Sequence, residues 1–385
     1  MVEAMGAEAV SGTEKEMSSR GAAFGALPAH GGAAPHRALR RDCAAGEPGI
    51  AGAGDPSPDD RPGDVPQEVV LELVAAATMA PSKHNSQPWR FRFDPASQTI
   101  GLYADPERML QVSDPAGRGL HIACGAALFN LRLAAAVAGR HPVVRLTPDA
   151  DQPLLIAAVR LAGPCQPQQQ EIDLHAAIAE RRTNRSPFSP RPVPPGIRAE
   201  LAEAAQIEGA VLHFPDRQEA SRLFRLVQDA ERDLLADPAY RAELARWAGG
   251  ARDREGIPDE VAGPRDPEHA TPVRDFTPAR PGPVGYAWFE EEPQLAVLST
   301  LCDDRADWLR AGQAMQRAWL TATLRGVAVA PLTQPLETGD AWQVRDPRSG
   351  IEYPQMILRL GYGLPVPRAP RRPVPDVLDN PQPDD

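Results

Sequence analysis

One pattern constrains the fold of this chain more than any other: parts of it occur twice. Gly125, Ala127, Leu133, Ala135 and Gly139 reappear as Gly312, Ala314, Leu320, Ala322 and Gly326, all at the offset of 187 residues that separates Gly125 from Gly312. Both sets lie in long Ala-rich stretches, and their small residues are spaced to let two backbones pack closely. Val159-Arg160-Leu161 is echoed by Leu358-Arg359-Leu360, and Val65-Pro66 by Val193-Pro194. Ala-rich helices often match by chance, but three elements matching in the same order is a stronger sign. Two similar halves can pack about a pseudo-two-fold axis, as the subunits of a symmetric dimer do. A ligand site in the groove between them draws residues from both halves. If only one of the two equivalent grooves keeps its residues, the chain has one site.

Hydrophobic periodicity places the elements. Order should begin near Asp64, with Pro66 suited to a first helical turn. Val70, Leu73, Val74 and Ala77 then recur at helical spacing. Trp89, Phe91 and Phe93 alternate with Arg90 and Arg92, a strand pattern. A long helix over 118–139 and a buried strand from Leu154 to Leu161 complete a first half, residues 63–165. The second half, 166–364, reads as helix 171–182, a Pro-rich link from Pro187 to Pro195, helix 196–206, strand 210–214 and helix 217–235. Strand 294–301, helix 305–325, strand 327–331 and strand 355–361 follow. Residues 249–286 carry Gly, Pro, Asp and Arg with little periodicity, as a functional or disordered insertion does. Residues 1–62 hold a single aromatic, Phe24, and should be disordered. Residues 365–385 form an extended Pro-rich tail.

The formal charge of −11, without a basic block, argues against nucleic acid as a partner. No run approaches the roughly 20 apolar residues of a membrane span, and no secretion signal is evident, so cytoplasmic residence is the default expectation. The four cysteines have no metal-type spacing and are too few for a disulfide framework in a chain of 385 residues. Cys124 and Cys302, in apolar runs, read as inert buried thiols. No metal site, nucleophile motif or Gly-rich phosphate loop is recognisable.

Three polar motifs remain. The first, Ala80-Pro81-Ser82-Lys83-His84-Asn85-Ser86-Gln87-Pro88-Trp89, joins a helix to a strand. Its Ser and Asn offer donors and acceptors suited to a planar heterocycle, although such residues are also ordinary in turns. The second, Arg181-Arg182-Thr183-Asn184-Arg185, gathers three arginines and a hydroxyl, a combination suited to phosphate. Complementing a helix dipole would explain Arg181 and Arg182 but not the whole run. The third, Gly361-Tyr362-Gly363 with Arg368, Arg371 and Arg372 beyond it, adds cations near the chain end; alone it is a solvated basic tail.

Together the loop P-S-x-x-N-x-Q-P-W, the R-x-S/T-x-R run, the L-R-L-G-Y strand and the R-R-P tail resemble the nitroreductase superfamily. The order of motifs and the fused halves resemble its Acg-like subgroup. The likeness runs from about residue 65 to 378. It implies an α+β fold of two related half-domains packed as a pseudo-dimer, with mixed or antiparallel sheets flanked by helices. It also implies one FMN site shared between the halves. The first half has the loop but no Arg-rich run. The second has the run but lacks the loop, so the halves are complementary remnants.

The resemblance assigns Arg181, Arg182, Thr183 and Arg185, helped by Arg371 or Arg372, to the FMN phosphate and ribityl chain. Thr183 stands where the family usually has Ser. Pro81, Ser82, Lys83 and Asn85 form the loop beside the ring, with Ser82 and Asn85 on its polar edge. Pro331, Leu332 and Thr333 line the ring near its reactive nitrogen. Gln87 and Trp89 are expected to be structural, Asp114 and Arg118 to be a helix cap with an ion pair, and 249–286 to lie where the subgroup carries a lid. The implied activity is electron transfer from NADH or NADPH to a small organic acceptor, a nitro compound or a quinone, with no protein group in a catalytic role. The chain would be a monomer of pseudo-dimeric halves or a homodimer. The alternative is a protein that sequesters FMN with little turnover.

Overall fold

The computed structural model describes residues 64–147, 151–267, 273–276, 285–339, 341–345 and 352–379, all within one compact unit. The expected disorder of 1–62 and parts of the 249–286 insertion lie outside the described residues. The first half contains α1 (Gln67–Thr78), β1 (Trp89–Asp94), β2 (Thr99–Ala104), α2 (Arg118–Val137), β3 (Arg140–Leu146) and β4 (Leu155–Pro164). The second contains α3 (Gln169–Glu180), α4 (Pro195–Ile207), β5 (Val211–His213), α5 (Arg217–Ala236), α6 (Pro238–Trp247), β6 (Gln294–Thr300), α7 (Arg305–Leu324), β7 (Ala328–Leu332) and β8 (Tyr353–Gly361). The two-residue strand β9 (Leu378–Asp379) follows.

Each half builds one sheet, and the two sheets have the same internal order: β3-β4-β2-β1 in the first and β7-β8-β6-β5 in the second. Pairing is antiparallel throughout, except that β9 adds to β1 in parallel. The fold is therefore α+β with one mixed and one antiparallel sheet, as the resemblance implied. The residues that set the elements are buried where periodicity placed them. Val70, Leu73, Val74 and Ala77 face inward from α1, and Trp89, Phe91 and Phe93 from β1, while Arg92 is exposed. β2, β3, α6 and β9 are additions to the sequence reading.

The duplicated helices meet at the centre. A Cβ on Gly125 would fall 2.2 Å from the Leu309 carbonyl oxygen, and one on Gly312 would fall 2.1 Å from that of Ile122. Ile122 and Leu309 stand at the same offset as the glycines, so the contact is reciprocal, as an isologous interface requires. The pseudo-two-fold axis passes between Gly125 and Gly312, where only glycine lets the backbones touch. By length and composition α2 could cross a membrane, but its side chains are mostly buried in this core. Cys124 lies there too as a free thiol whose pKa burial raises far above the ordinary value, whereas Cys302, expected to be an inert buried thiol, is half-buried and disulfide-bonded.

Residues 364–373 carry no helix or strand and lead through a short turn at Val374–Asp376 to β9 on the sheet of the first half. Gln87 is fully buried, its amide donating to the Arg254 carbonyl and accepting from the Arg372 amide, and Trp89 is in the core. Both have the structural roles expected of them.

Candidate functional site

The loop after α1 is held in an unusual backbone conformation. His84, Asn85 and Gln87 have φ of 52°, 53° and 51°, a left-handed region that non-glycine residues seldom occupy. The Ser82 hydroxyl accepts from the Gln87 amide at 2.9 Å and helps close the loop on itself. From the second half, residues 181–185 leave α3 and run along β7, where Thr183 bridges Val329 and the Asn184 amide donates to the Val329 carbonyl at 3.0 Å. Loop and run thus arrive from opposite halves at one place.

Between them lies a cleft of about 930 Å³, its open mouth included. Pro81, Ser82, Lys83, Thr183, Arg185, Pro331, Leu332 and Thr333 line it, with Ile122, Ala123, Met315 and Trp319 from the two central helices. Pro81, Ser82, Thr183 and Arg185 also line a second chamber of about 470 Å³, together with Asn85, Arg181, Arg182, Arg368 and Arg371. The larger chamber has apolar flanks, and among the described residues the smaller is lined by five arginines and no carboxylate.

The arginines are held without neutralisation. Arg181 is 4% exposed, and its guanidinium sits 4.7 Å from the Trp319 ring centroid. It donates from Nη2 to the Met79 carbonyl at 3.3 Å, while Nε and Nη1 have no partner. Arg371 donates to the Met79 and Ala80 carbonyls at 3.2 and 3.1 Å, and its Nε is unpartnered. These carbonyls lie at the C-terminal end of α1, the negative end of its dipole. Burial, then Arg371 and its other cationic neighbours, pull Arg181 well below the ordinary arginine range. Burial followed by nearby guanidiniums lowers Arg185 and Arg371 to about 10. Arg182 donates to the Ala179 and Arg181 carbonyls at the end of α3, as dipole complementation predicts.

A buried ion network stands at the other end of the larger chamber. Glu337 accepts from Arg274 at 2.5 Å, lies 3.0 Å from the Lys83 ammonium and accepts from the Thr333 hydroxyl. Burial alone would raise its carboxyl, but Arg274 and Lys83 outweigh burial and bring it to about 2. Lys83 also donates to the Ser113 carbonyl at 2.6 Å, and Arg274 to the Tyr240 hydroxyl. His84 lines the same chamber with Nε2 unpartnered, and burial, then Arg274 and Lys83, keep it neutral. Val273, Arg274 and Phe276, from the irregular insertion, line this chamber too, while Ile257 and Val261 line the smaller one.

Three expectations change. Asn85 lines the arginine chamber and not the larger one, and its amide is fully engaged with protein groups. Arg372 lies outside both chambers. Its amide donates to Gln87, and its guanidinium donates to the Asp376 carbonyl and pairs with Asp105, so it anchors the tail. Asp114 caps α2 through the Gly119 and Leu120 amides, but Arg118 donates to the Gln355 and Leu336 carbonyls instead of pairing with it. Arg274, Phe276 and Glu337 were not singled out from sequence, because they lie in aperiodic stretches that carry no motif.

On the other side of the pseudo-axis the equivalent place holds a cluster of ion pairs. The link between α4 and β5 is only residues 208–210. Its Glu208 takes Arg132 at 2.6 Å and Arg317 at 3.0 Å. Arg132 occupies in α2 the position that Trp319 occupies in α7, so an ion pair stands where the first groove has its floor.

The family model described as "Nitroreductase family" matches residues 59–93 and 178–362. The chain belongs to the nitroreductase family. A protein of Mycobacterium tuberculosis (strain H37Rv) provisionally named NAD(P)H nitroreductase Rv3131 is 36% identical over 323 residues, 82% of this chain and 92% of that protein. The provisionally named NAD(P)H nitroreductase acg of the same strain is 31% identical over 331 residues, 82% of this nitroreductase-family chain and 96% of its own length. Among solved structures, the FMN-dependent nitroreductase NfnB of Mycobacterium smegmatis in complex with NADPH aligns with TM-score 0.31 and 18% identity, over 51% of this chain and 94% of that one.

Proposed function

We propose that this member of the nitroreductase family is an FMN-dependent NAD(P)H oxidoreductase with one flavin site per chain, passing electrons to an oxidised organic acceptor such as a nitro compound or a quinone. One observation carries the reading: a chamber with apolar flanks shares Ser82 and Thr183 with a neighbouring chamber that, among the described residues, is lined by arginines and no carboxylate. Buried guanidinium donors without partners are costly, about 1–3 kcal/mol or more each. The unpartnered Nε and Nη1 of Arg181 and Nε of Arg371 therefore fit a ligand rich in acceptors and negative charge. A phosphate monoester has both properties.

In this reading Arg181, Arg185 and Arg371 hold the phosphate, with Arg182 and Arg368 at its rim. Ser82 and Thr183 flank the passage between the chambers, where a polyol chain would lie. Lys83, Pro331, Leu332 and Thr333 bound the ring chamber. FMN, when bound, supplies the redox chemistry, taking a hydride equivalent from a nicotinamide and releasing electrons to the acceptor. The protein binds and orients it, excludes water with Ile122, Ala123, Met315 and Trp319, and keeps His84 uncharged beside the ring chamber. No side chain is assigned a catalytic role.

A second reading, storage of FMN with little turnover, is favoured by one observation: Val273, Arg274 and Phe276 line the ring chamber, and Arg274 is latched there by Glu337. Anaerobic mixing of the yellow holo-protein with NADH or NADPH separates the two. Bleaching within seconds to minutes supports the oxidoreductase; colour that persists supports storage. A protein purified without flavin, and unable to take it up, would remove both readings.

A further inference from the structure

The side chain of Asn85 makes three hydrogen bonds, and none is to a residue that lines the ring chamber. Its Nδ2 donates to the Gly256 carbonyl at 3.0 Å and to the Pro370 carbonyl at 3.0 Å. Its Oδ1 accepts from Arg371 Nη1 at 3.0 Å. The residue is 4% exposed, so little is left for a ligand. Gly256, at φ +79°, returns its own amide to the Asn85 carbonyl at 3.2 Å. One amide thus joins the first-half loop, the irregular insertion and the C-terminal tail, and its acceptor oxygen is spent on the tail arginine that walls the smaller chamber. Two residues on, Gln87 repeats the arrangement with the Arg254 carbonyl and the Arg372 amide. The left-handed backbone of both residues aims them at the tail.

We infer that Asn85 is a positioning residue that sets the guanidinium of Arg371 in the phosphate chamber and makes no contact with the flavin ring. A guanidinium donates through a fixed fork. With Nη1 bound to Asn85 and to the Ala369 and Pro370 carbonyls, and Nη2 to the Met79 and Ala80 carbonyls, its plane is fixed at the wall of the chamber, with Nε buried and unpartnered. Without Asn85, Arg371 keeps its charge and its bonds to the Met79, Ala80, Ala369 and Pro370 carbonyls, but loses its side-chain tie to the first-half loop and with it part of its orientation. The inference rests on the flavin reading and refines it: Asn85 acts on the phosphate end of the ligand.

The test is equilibrium binding to the apo-protein, read by flavin fluorescence, with FMN and with riboflavin, which lacks the phosphate. The variants are Asn85→Gly, Arg371→Ala and the double variant. Glycine is at ease at φ +53°, so Asn85→Gly removes the amide without adding backbone strain. Circular dichroism confirms that each variant is folded. The expected result is FMN binding weakened about 10- to 100-fold in Asn85→Gly, the size of one or two charge-assisted hydrogen bonds. Riboflavin binding should change less than about twofold, and the double variant should be no weaker for FMN than Arg371→Ala alone. Equal losses for FMN and riboflavin, or losses that multiply in the double variant, would overturn the inference while leaving the flavin reading intact. Wild-type protein that binds neither flavin would overturn both.

Discussion

Glu337 is a buried carboxylate held by two cations, and its state decides whether the network at the ring chamber survives. Its folded value of about 2 lies below the ordinary 4.5, so the stability it contributes is fully present above about pH 4.5 and lost as the pH falls toward 2. The shift corresponds to something on the order of 3 kcal/mol. Removing one cation with Arg274→Ala should start acid unfolding at a higher pH, which a fluorescence titration from pH 6 downward would show; an unchanged acid limb would dissociate Glu337 from Arg274. Arg181 poses the opposite case, a buried charge that its surroundings oppose. Arg181→Met should raise the melting temperature of the apo-protein while weakening FMN about tenfold or more. A lower apo melting temperature would mean that the Trp319 stack and the Met79 bond outweigh the burial cost. At this scale sequence could show which residues were polar and clustered, but not which partners each would take. Asn85 and Arg372 differ from expectation because long-range partners claim them, Arg371 and Pro370 for the one, Gln87 and Asp105 for the other.

The elements were legible wherever burial is periodic. α1, β1, α2, α4, α5, β6 and α7 lie within a few residues of where apolar spacing placed them. β3 was not, since most of its residues are half-buried and Pro142 interrupts it; β9 is too short to show a period. The repeated glycines carried more than their share, because they mark the backbone contact of α2 with α7. Gly125→Ala improves helix propensity by about 1 kcal/mol, yet its Cβ would fall 2.2 Å from the Leu309 carbonyl oxygen. Net destabilisation of about 1–3 kcal/mol is expected, read as a lower urea midpoint; an unchanged midpoint would mean the helices can part at little cost. The tail is the other element whose role exceeds its regularity. It brings Arg368 and Arg371 to the smaller chamber and is tied down by Arg90 to Asp379, Arg254 to Asp376 and Arg372 to Asp105. A chain ending at Leu364 should keep its two central helices and lose FMN.

Across the whole molecule, the duplication visible in the sequence became two sheets of identical strand order about a glycine contact. The asymmetry of the halves became a cleft on one side of the pseudo-axis and an ion-pair cluster at the equivalent place on the other. The cleft combines the loop of the first half with the arginine run of the second, and Arg132, Glu208 and Arg317 form the cluster. The irregular insertion was visible in the sequence as 249–286, but which of its residues reach the cleft, Val273, Arg274 and Phe276, was not, because no motif marks them. The central claim is that one composite flavin site exists per chain and that its phosphate end lies among Arg181, Arg185 and Arg371. Its most direct test is the flavin-to-protein ratio after gel filtration with excess FMN, for the wild type and for the Arg181→Glu, Arg185→Glu double variant with its folding checked by circular dichroism. One FMN per wild-type chain and none in the folded variant is the expected result. Two FMN per chain, or a full complement retained by the variant, would contradict it.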